Sequence, residues 1–153
     1  MPHYGVKVDE TESMLTWDWV EKQMASARNY WLCTTCPDGK PHAAPVWGVW
    51  VEGQLFTATD RHSVKARNIS RDSRAVVHLE SGDETVIFEG LLCASTPSAS
   101  LQAIIDQNYV DKYNLDPSLD EEDAILYRLI PQKVMAWLER DFPLTATRWL
   151  FSD

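Results

Sequence analysis

Five cationic side chains are concentrated in one short stretch of the sequence, residues 59–74. They are Arg61, Lys65, Arg67, Arg71 and Arg74. Guanidinium and ammonium groups bind phosphates and carboxylates through charge-assisted hydrogen bonds, so such a cluster can form an anion site. Ser63 is suited to cap a helix, and apolar residues follow it at helical spacing, which predicts a short helix from this point.

The beginning of that helix could bind a phosphate. Helix N-termini present unpaired amides and the positive end of the helix dipole, and Ser63 and Lys65 would add a hydroxyl and an ammonium group. The alternative is a solvated basic helix that pairs with the many carboxylates of the chain. Surface charge clusters are common and contribute little to stability, so composition alone favours this second interpretation.

Other residues that could do chemistry give weaker signals. Cys33 and Cys36 form a C-x-x-C pair, but no second pair accompanies them, and we interpret them as ordinary residues at a strand end. His42, His62 and His78 are not at the spacing of paired metal ligands. We therefore predict no metal site. No nucleophile and base are recognisable together, so we predict no catalytic side chain.

The whole chain has the composition of one soluble globular domain. It has 153 residues, of which 44% are hydrophobic and 24% charged, and we predict a single domain over 1–153 with its core at about 15–151. The net charge of −9 argues against nucleic acid or an anionic membrane as partner. With no apolar run of about 20 residues and no secretory leader pattern, a cytoplasmic protein is expected.

The periodicity predicts a mainly antiparallel β-protein with a few helices. Six strands are expected at residues 28–36, 41–51, 54–60, 74–81, 85–95 and 127–139, the last bent at Pro131. Helices are expected from Thr16, from Ser63 and near Thr96, with another helical turn in the acidic segment 120–124. Six hairpin-connected strands would leave exposed edges in an open sheet, so we expect a barrel.

Several motifs follow one another in a characteristic order between Leu15 and Phe151. They are PHAAPVW, GQLFTAT, S-x-K-A-R-N, VVHLESGDETVIFEG and TATRWLF. Together they resemble the pyridoxamine 5′-phosphate oxidase-like family of flavin-binding split β-barrels. The resemblance implies a mainly β (α+β) fold, a six-stranded antiparallel split β-barrel with peripheral helices. It also implies a homodimer with two flavin-type cofactors between the protomers, which the chain's seven tryptophans would suit as interface residues.

The same resemblance assigns roles to ten residues. Ser63 and Lys65 correspond to the cofactor phosphate site, with Arg67 as a possible second cation. The residues beside the ring and the ribityl chain are Pro45, Val46, Trp47, Thr57 and Thr59. Arg148 and Trp149 match a C-terminal segment that reaches the neighbouring subunit's site. The alternative for Trp47 and Trp149 is the protein core, and Thr57 and Thr59 could be ordinary strand residues.

Departures from the family pattern bear on the substrate. Val64 stands where the oxidase motif has an arginine, and Ala43 and Ala44 stand near the position of another. Losing one cation weakens a phosphate site by about 1–3 kcal/mol unless another, such as Arg61, replaces it. The residues that grip pyridoxine phosphate have no counterpart, so oxidation of pyridoxamine phosphate is not expected. The pattern is most similar to the branch whose members use FMN or a deazaflavin.

The expected function is an FMN-dependent oxidoreductase that moves a hydride to or from a small conjugated molecule. One alternative is a reductase dependent on the deazaflavin coenzyme F-420. Binding the oligoglutamate tail of this coenzyme requires an extended basic groove, and the acidic net charge of the chain argues against such a groove. Further alternatives are a flavin-binding or storage module without turnover, and a cofactor-free scaffold or a binder of haem.

Overall fold

The computed structural model describes residues 13–115 and 123–151, which form a curled antiparallel β-sheet with helices around it. The strands are β1 (Tyr30–Thr35), β2 (Pro41–Val46), β3 (Val49–Val51), β4 (Gln54–Asp60), β5 (Arg74–His78), β6 (Glu84–Ala94), β7 (Ala124–Leu138) and β8 (Thr147–Leu150). The helices are α1 (Trp17–Ser26), α2 (Val64–Arg71), α3 (Ala99–Tyr113) and the short α4 (Phe142–Thr145), preceded by a 3-10 turn at Glu139–Asp141.

The strand order explains why the sheet curls. It runs β2-β1-β5-β6-β7-β4-β3, with β8 pairing the remaining edge of β7. The strands at the two ends, β2 and β3, are separated in the chain by Trp47 and Gly48 only. The three Cα–Cα steps from Val46 to Val49 span no more than about 11 Å, so the two ends of the sheet must meet at this point. The predicted class, a split β-barrel with peripheral helices, is confirmed.

The number of strands differs from the expected six for two physical reasons. The expected strand 41–51 breaks at Gly48, where a Cβ atom would lie 2.9 Å from the Phe56 carbonyl oxygen. Strand β8 is only four residues long and exists through its pairing with β7, which no local pattern signals. The expected acidic turn at 120–124 lies mostly outside the described residues, and Ala124 begins β7.

Turns and bends follow the expected chemistry. Glu52 and Gly53 have φ angles of 50° and 74°, the left-handed pair that a tight hairpin between β3 and β4 requires. Opposite Pro131, the β6–β7 register shifts between Glu89 and Gly90. Proline cannot donate to the ladder, so the bulge at this point is expected. It also requires glycine at position 90, because a Cβ would lie 2.2 Å from the Ile130 carbonyl oxygen.

Two apolar clusters stabilise the sheet on opposite faces. The larger lies inside the curl, where Val20 and Met24 of α1 are fully buried against strand residues such as Phe88. The smaller lies where α3 packs on β3 and β4, with Phe56 and Ile105 both 1% exposed. Helix α3 therefore holds the outer face of the strand pair that ends at the Trp47–Gly48 corner.

None of the helices in the described ranges combines the length and the apolar character that crossing a membrane requires.

Candidate functional site

The beginning of α2 has the geometry expected of a capped helix. Ser63 is extended (φ −64°, ψ 156°), and its hydroxyl accepts a hydrogen bond from the Ala66 amide at 3.1 Å. Within the described part of the chain, the amides of Val64 and Lys65 donate to no protein acceptor. These amides, at the positive end of the helix dipole, are available to an anion.

A row of polar groups leads from the Trp47–Gly48 corner to that helix. The Thr57 hydroxyl donates to the Trp47 carbonyl at 2.6 Å, and the Thr59 and Ser63 hydroxyl oxygens are 3.3 Å apart. Thr57 and Thr59 are two residues apart, so they lie on the same face of β4. The structure thus brings four of the ten candidate residues into one continuous group, which we call the corner-to-helix row: Trp47, Thr57, Thr59 and Ser63.

Three of the five cations of the basic stretch are bonded to carboxylates or to the backbone of β1. Arg61 pairs with Asp123 at 3.1 Å, and Arg74 pairs with Asp72 at 2.6 Å. The bonds from Arg74 hold the pKa of the Asp72 carboxyl down at about 2. Arg71 donates to the Thr35 carbonyl.

The remaining two cations are those assigned to the phosphate. The Arg67 guanidinium donates to the His62 carbonyl at 3.0 Å, which keeps it beside the loop that carries Ser63. Lys65, which is half-buried, makes no hydrogen bond or ion pair within the described residues. In the same loop the Asp60 carboxylate accepts from the His62 amide at 2.6 Å.

The Trp47–Gly48 corner is held by aromatic and cationic groups of α3. The Trp47 indole is 46% exposed and lies parallel to the Tyr113 ring, with centroids 4.5 Å apart and an interplanar angle of 12°. The Tyr113 hydroxyl accepts from the Gly48 amide at 2.8 Å. The Lys112 ammonium donates to the Gly48 carbonyl at 2.8 Å and to the Tyr30 hydroxyl at 3.0 Å.

This cluster was not found by sequence reasoning. Its members lie at positions 28–30, 48 and 112–113, so no local spacing connects them. Burial, with a smaller contribution from the nearby Arg28, lowers the pKa of Lys112 to about 8. A half-buried ammonium whose bonding partners are neutral is the type of group that marks a specific local arrangement.

The segment before the corner belongs to β2, at one end of the sheet. Pro45 is exposed, whereas Val46 is 8% exposed and belongs to the main core. On the same strand the Nδ1 atom of His42 is buried without a hydrogen-bond partner in the described residues. Across from it, buried Asn68 of α2 donates to the Thr34 hydroxyl at 3.0 Å and so anchors α2 to β1.

Arg148 and Trp149 lie far from the corner-to-helix row in the same chain. Trp149 pairs with Val134 of β7, whereas Thr59 pairs with Ile125. Nine residues of strand separate these positions, or roughly 30 Å at the usual rise of a strand. Trp149 packs against the core beside Trp17, with ring centroids 5.5 Å apart, and Arg148 is exposed. A single chain does not bring these two residues to the row.

Among the residues of ranges 13–115 and 123–151, no group of three or more His, Cys, Asp or Glu side chains is placed to hold a metal ion.

The sequence matches the family model of pyridoxamine 5′-phosphate oxidase over residues 17–139, and the chain belongs to that family. No curated protein matches the sequence. Solved structures with the same fold include a conserved hypothetical protein from Mycobacterium tuberculosis. It is 24% identical with a TM-score of 0.73, and the match covers 88% of this chain and 90% of the other.

Two further structural neighbours are named for what they store or reduce. A haem storage protein from Vibrio cholerae has a TM-score of 0.66 at 14% identity, over 80% of this chain and 95% of the other. An F420 reductase has a TM-score of 0.60 at 19% identity, over 74% of this chain and 94% of the other. At these identities the likeness defines the fold and leaves the ligand of this chain open.

Proposed function

We propose that the protein binds FMN and uses it to move a hydride to or from a small conjugated molecule. The observation that carries the proposal is the corner-to-helix row, which runs from an aromatic corner to a helix N-terminus. The cation at that terminus, Lys65, has no partner among the described residues. A flavin mononucleotide has the same order of chemical parts: a planar ring, a hydroxylated chain and a phosphate.

The donors at the helix fit a phosphate. Two unpaired amides, the Lys65 ammonium and the hydroxyls of Thr59 and Ser63 are all able to donate to phosphate oxygens. Thr57 is 2% exposed and donates its hydroxyl to the Trp47 carbonyl, so its role is to fix the corner. Thr59 follows about 7 Å along the strand, is half-buried, and its hydroxyl oxygen lies 3.3 Å from that of Ser63. The donors at the beginning of α2 therefore fit the phosphate of the cofactor.

The partners of the arginines favour FMN over the deazaflavin coenzyme. An oligoglutamate tail would need several free cations along a groove. Arg61 and Arg74 already pair with carboxylates, and Arg71 is bonded to a backbone carbonyl. A single phosphate needs only the groups at the beginning of α2, with Arg67 close by.

The bound flavin would supply the hydride chemistry, and the protein's residues would bind and orient it. The corner at Pro45–Trp47 would lie along the ring, and the α2 residues would hold the phosphate. No side chain is assigned a proton-transfer role. Because Arg148 and Trp149 lie far from the row, their assignment to the site requires a homodimer in which a second copy supplies them.

The test is a parallel titration of stripped protein with FMN and with riboflavin, which lacks the phosphate. Lys65→Glu should weaken FMN binding by about 10–100-fold, since a charged hydrogen bond is worth about 1.5–3 kcal/mol. Riboflavin binding should be unchanged. Lys40→Glu, an equal charge change in the exposed β1–β2 turn, is the matched control. Unchanged FMN affinity in Lys65→Glu would contradict the phosphate assignment.

A second candidate is storage of a planar ring without turnover, which the haem storage protein among the structural neighbours favours. It predicts stoichiometric binding of haem, seen as a shifted and sharpened Soret band. The same protein should then fail to accelerate oxidation of a reduced flavin or nicotinamide donor. Tight FMN binding with accelerated oxidation of such a donor, together with no haem binding, would exclude this candidate.

A further inference from the structure

The Trp47 side chain is exposed to solvent and is also held in place by a neighbouring ring. Its indole is 46% exposed, yet the Tyr113 ring covers one of its faces in a near-parallel stack at 4.5 Å. A large aromatic side chain left in water loses the stabilisation that burial would give it. An exposed indole that is nevertheless held in one orientation is therefore organised for contact with something planar.

Tyr113 holds this corner by its ring and by its hydroxyl. The hydroxyl oxygen accepts from the Gly48 amide at 2.8 Å and lies 2.6 Å from the Arg28 carbonyl oxygen, to which it donates. Tyr113 itself is 7% exposed. The Arg28 guanidinium lies 5.4 Å from the centroid of its ring. The tyrosine is thus fixed before it stacks on Trp47.

The peptide groups on both sides of Gly48 are fixed as well. The Trp47 carbonyl accepts from the Thr57 hydroxyl at 2.6 Å, and the Gly48 carbonyl accepts from the Lys112 ammonium at 2.8 Å. The Lys112 ammonium lies 4.7 Å from the Tyr30 ring centroid and 5.5 Å from that of Tyr113. Main chain and side chain of Trp47 are therefore held by independent contacts.

We propose that the free face of Trp47 is a stacking platform for the planar ring of the ligand, and that Tyr113 is the positioning residue that holds it. The proposal rests on the proposed function and adds to it a ring-recognition device contributed by α3. The platform lies at the corner end of the corner-to-helix row, where the carbonyl of Trp47 meets Thr57. Stacking on an aromatic side chain contributes free energy that does not depend on the phosphate.

The test compares three variants, Trp47→Leu, Tyr113→Leu and Tyr113→Phe, with FMN and riboflavin as probes. Trp47→Leu and Tyr113→Leu should each lower the affinity for FMN and the affinity for riboflavin by the same factor, roughly tenfold. Tyr113→Phe keeps the ring and should restore most of the affinity lost in Tyr113→Leu. The emission of bound riboflavin, quenched by a stacked indole, should rise in Trp47→Leu. Trp137→Leu, a change at a partly buried tryptophan that packs on Phe142, is the matched control.

The outcomes separate this inference from the proposed function. One outcome is that Lys65→Glu loses FMN affinity while Trp47→Leu and Tyr113→Leu bind both flavins with unchanged affinity and still quench riboflavin emission. In that case the stacking platform is overturned and the proposed function stands. If Tyr113→Leu binds both flavins as tightly as the unaltered protein, Tyr113 does not position Trp47, and the inference is overturned. If the unaltered protein binds neither flavin, both proposals are overturned. Melting temperatures of all variants report any loss of fold separately.

Discussion

Two lysines of this chain are in opposite situations. Lys65 has no hydrogen-bond or ion-pair partner in the described residues, and its charge is available to a ligand. Lys112 is bonded to the Gly48 carbonyl and the Tyr30 hydroxyl and lies beneath two tyrosine rings. Removing an ammonium from water favours its neutral form, which explains the lowered pKa of Lys112. The first lysine is suited to binding and the second to holding the corner.

The burial of Lys112 predicts a pH-dependent contribution to stability. Its pKa is about 8 in the folded protein against 10.5 ordinarily. Above pH 8 the unfolded chain therefore binds the extra proton, and the free energy of unfolding should rise with pH. Lys112→Met should flatten that rise. Urea unfolding between pH 7 and 10 measures the free energy of unfolding of both proteins. The range ends at pH 10 because ordinary tyrosines begin to ionise near that pH.

The pH dependence of the free energy of unfolding should differ only slightly between the unaltered protein and Lys112→Met, because Lys112 is only half-buried and water screens its charge. The pKa values of Tyr30 and Tyr109 are raised, chiefly by burial, so neither ionises in the folded protein over this pH range. Parallel pH profiles for the two proteins would show that the ammonium is better solvated than its contacts indicate.

At the scale of elements, two helix caps allow stability and binding to be separated. Ser63 caps α2 by accepting from Ala66, and Ser98 caps α3 by accepting from Leu101 at 3.3 Å. Removing either hydroxyl should cost about 1 kcal/mol of stability. Only Ser63→Ala should also weaken FMN binding, because only its hydroxyl lies in the corner-to-helix row.

Thermal melting and FMN titration of Ser63→Ala and Ser98→Ala check this prediction. Equal losses of FMN affinity in the two variants would show that the effect of Ser63 is exerted through the fold alone.

Local chemistry made much of this fold predictable. Ser63 as a cap, Glu52–Gly53 as a tight turn and the irregularity at Pro131 all follow from what those residues can do by themselves. The Lys112–Tyr113 cluster did not follow, since its partners lie more than 60 residues away in the chain. Likewise β8 depends on an edge of β7 that exists only in the folded sheet. Sequence patterns report local preferences, and these features come from tertiary contacts.

At the scale of the whole molecule, the separation of Arg148 from Lys65 predicts complementation between copies. In a two-fold dimer whose site combines Lys65 of one copy with Arg148 of the other, Lys65→Glu and Arg148→Glu should each lose FMN binding. Mixed dimers of the two variants would contain one site with both residues intact. Random mixing should thus restore about one quarter of the sites.

FMN titration of the two variants refolded together, against each refolded alone, measures this recovery. Sedimentation of the mixture confirms whether a dimer is present. A dimer that shows no recovery would mean that Arg148 is not part of the site that contains Lys65.

Strand β7 has a consequence for the order in which the protein is built. It pairs with β6 along one edge and with β4 and β8 along the other, and it begins only at Ala124 of 153 residues. Early hairpins such as β3–β4 can form from local contacts, whereas the Thr57–Tyr127 pairing closes a long loop and comes late. During synthesis β4 would keep an open edge until the C-terminal part of the chain emerges. Cofactor capture is therefore expected only after β7 has left the ribosome.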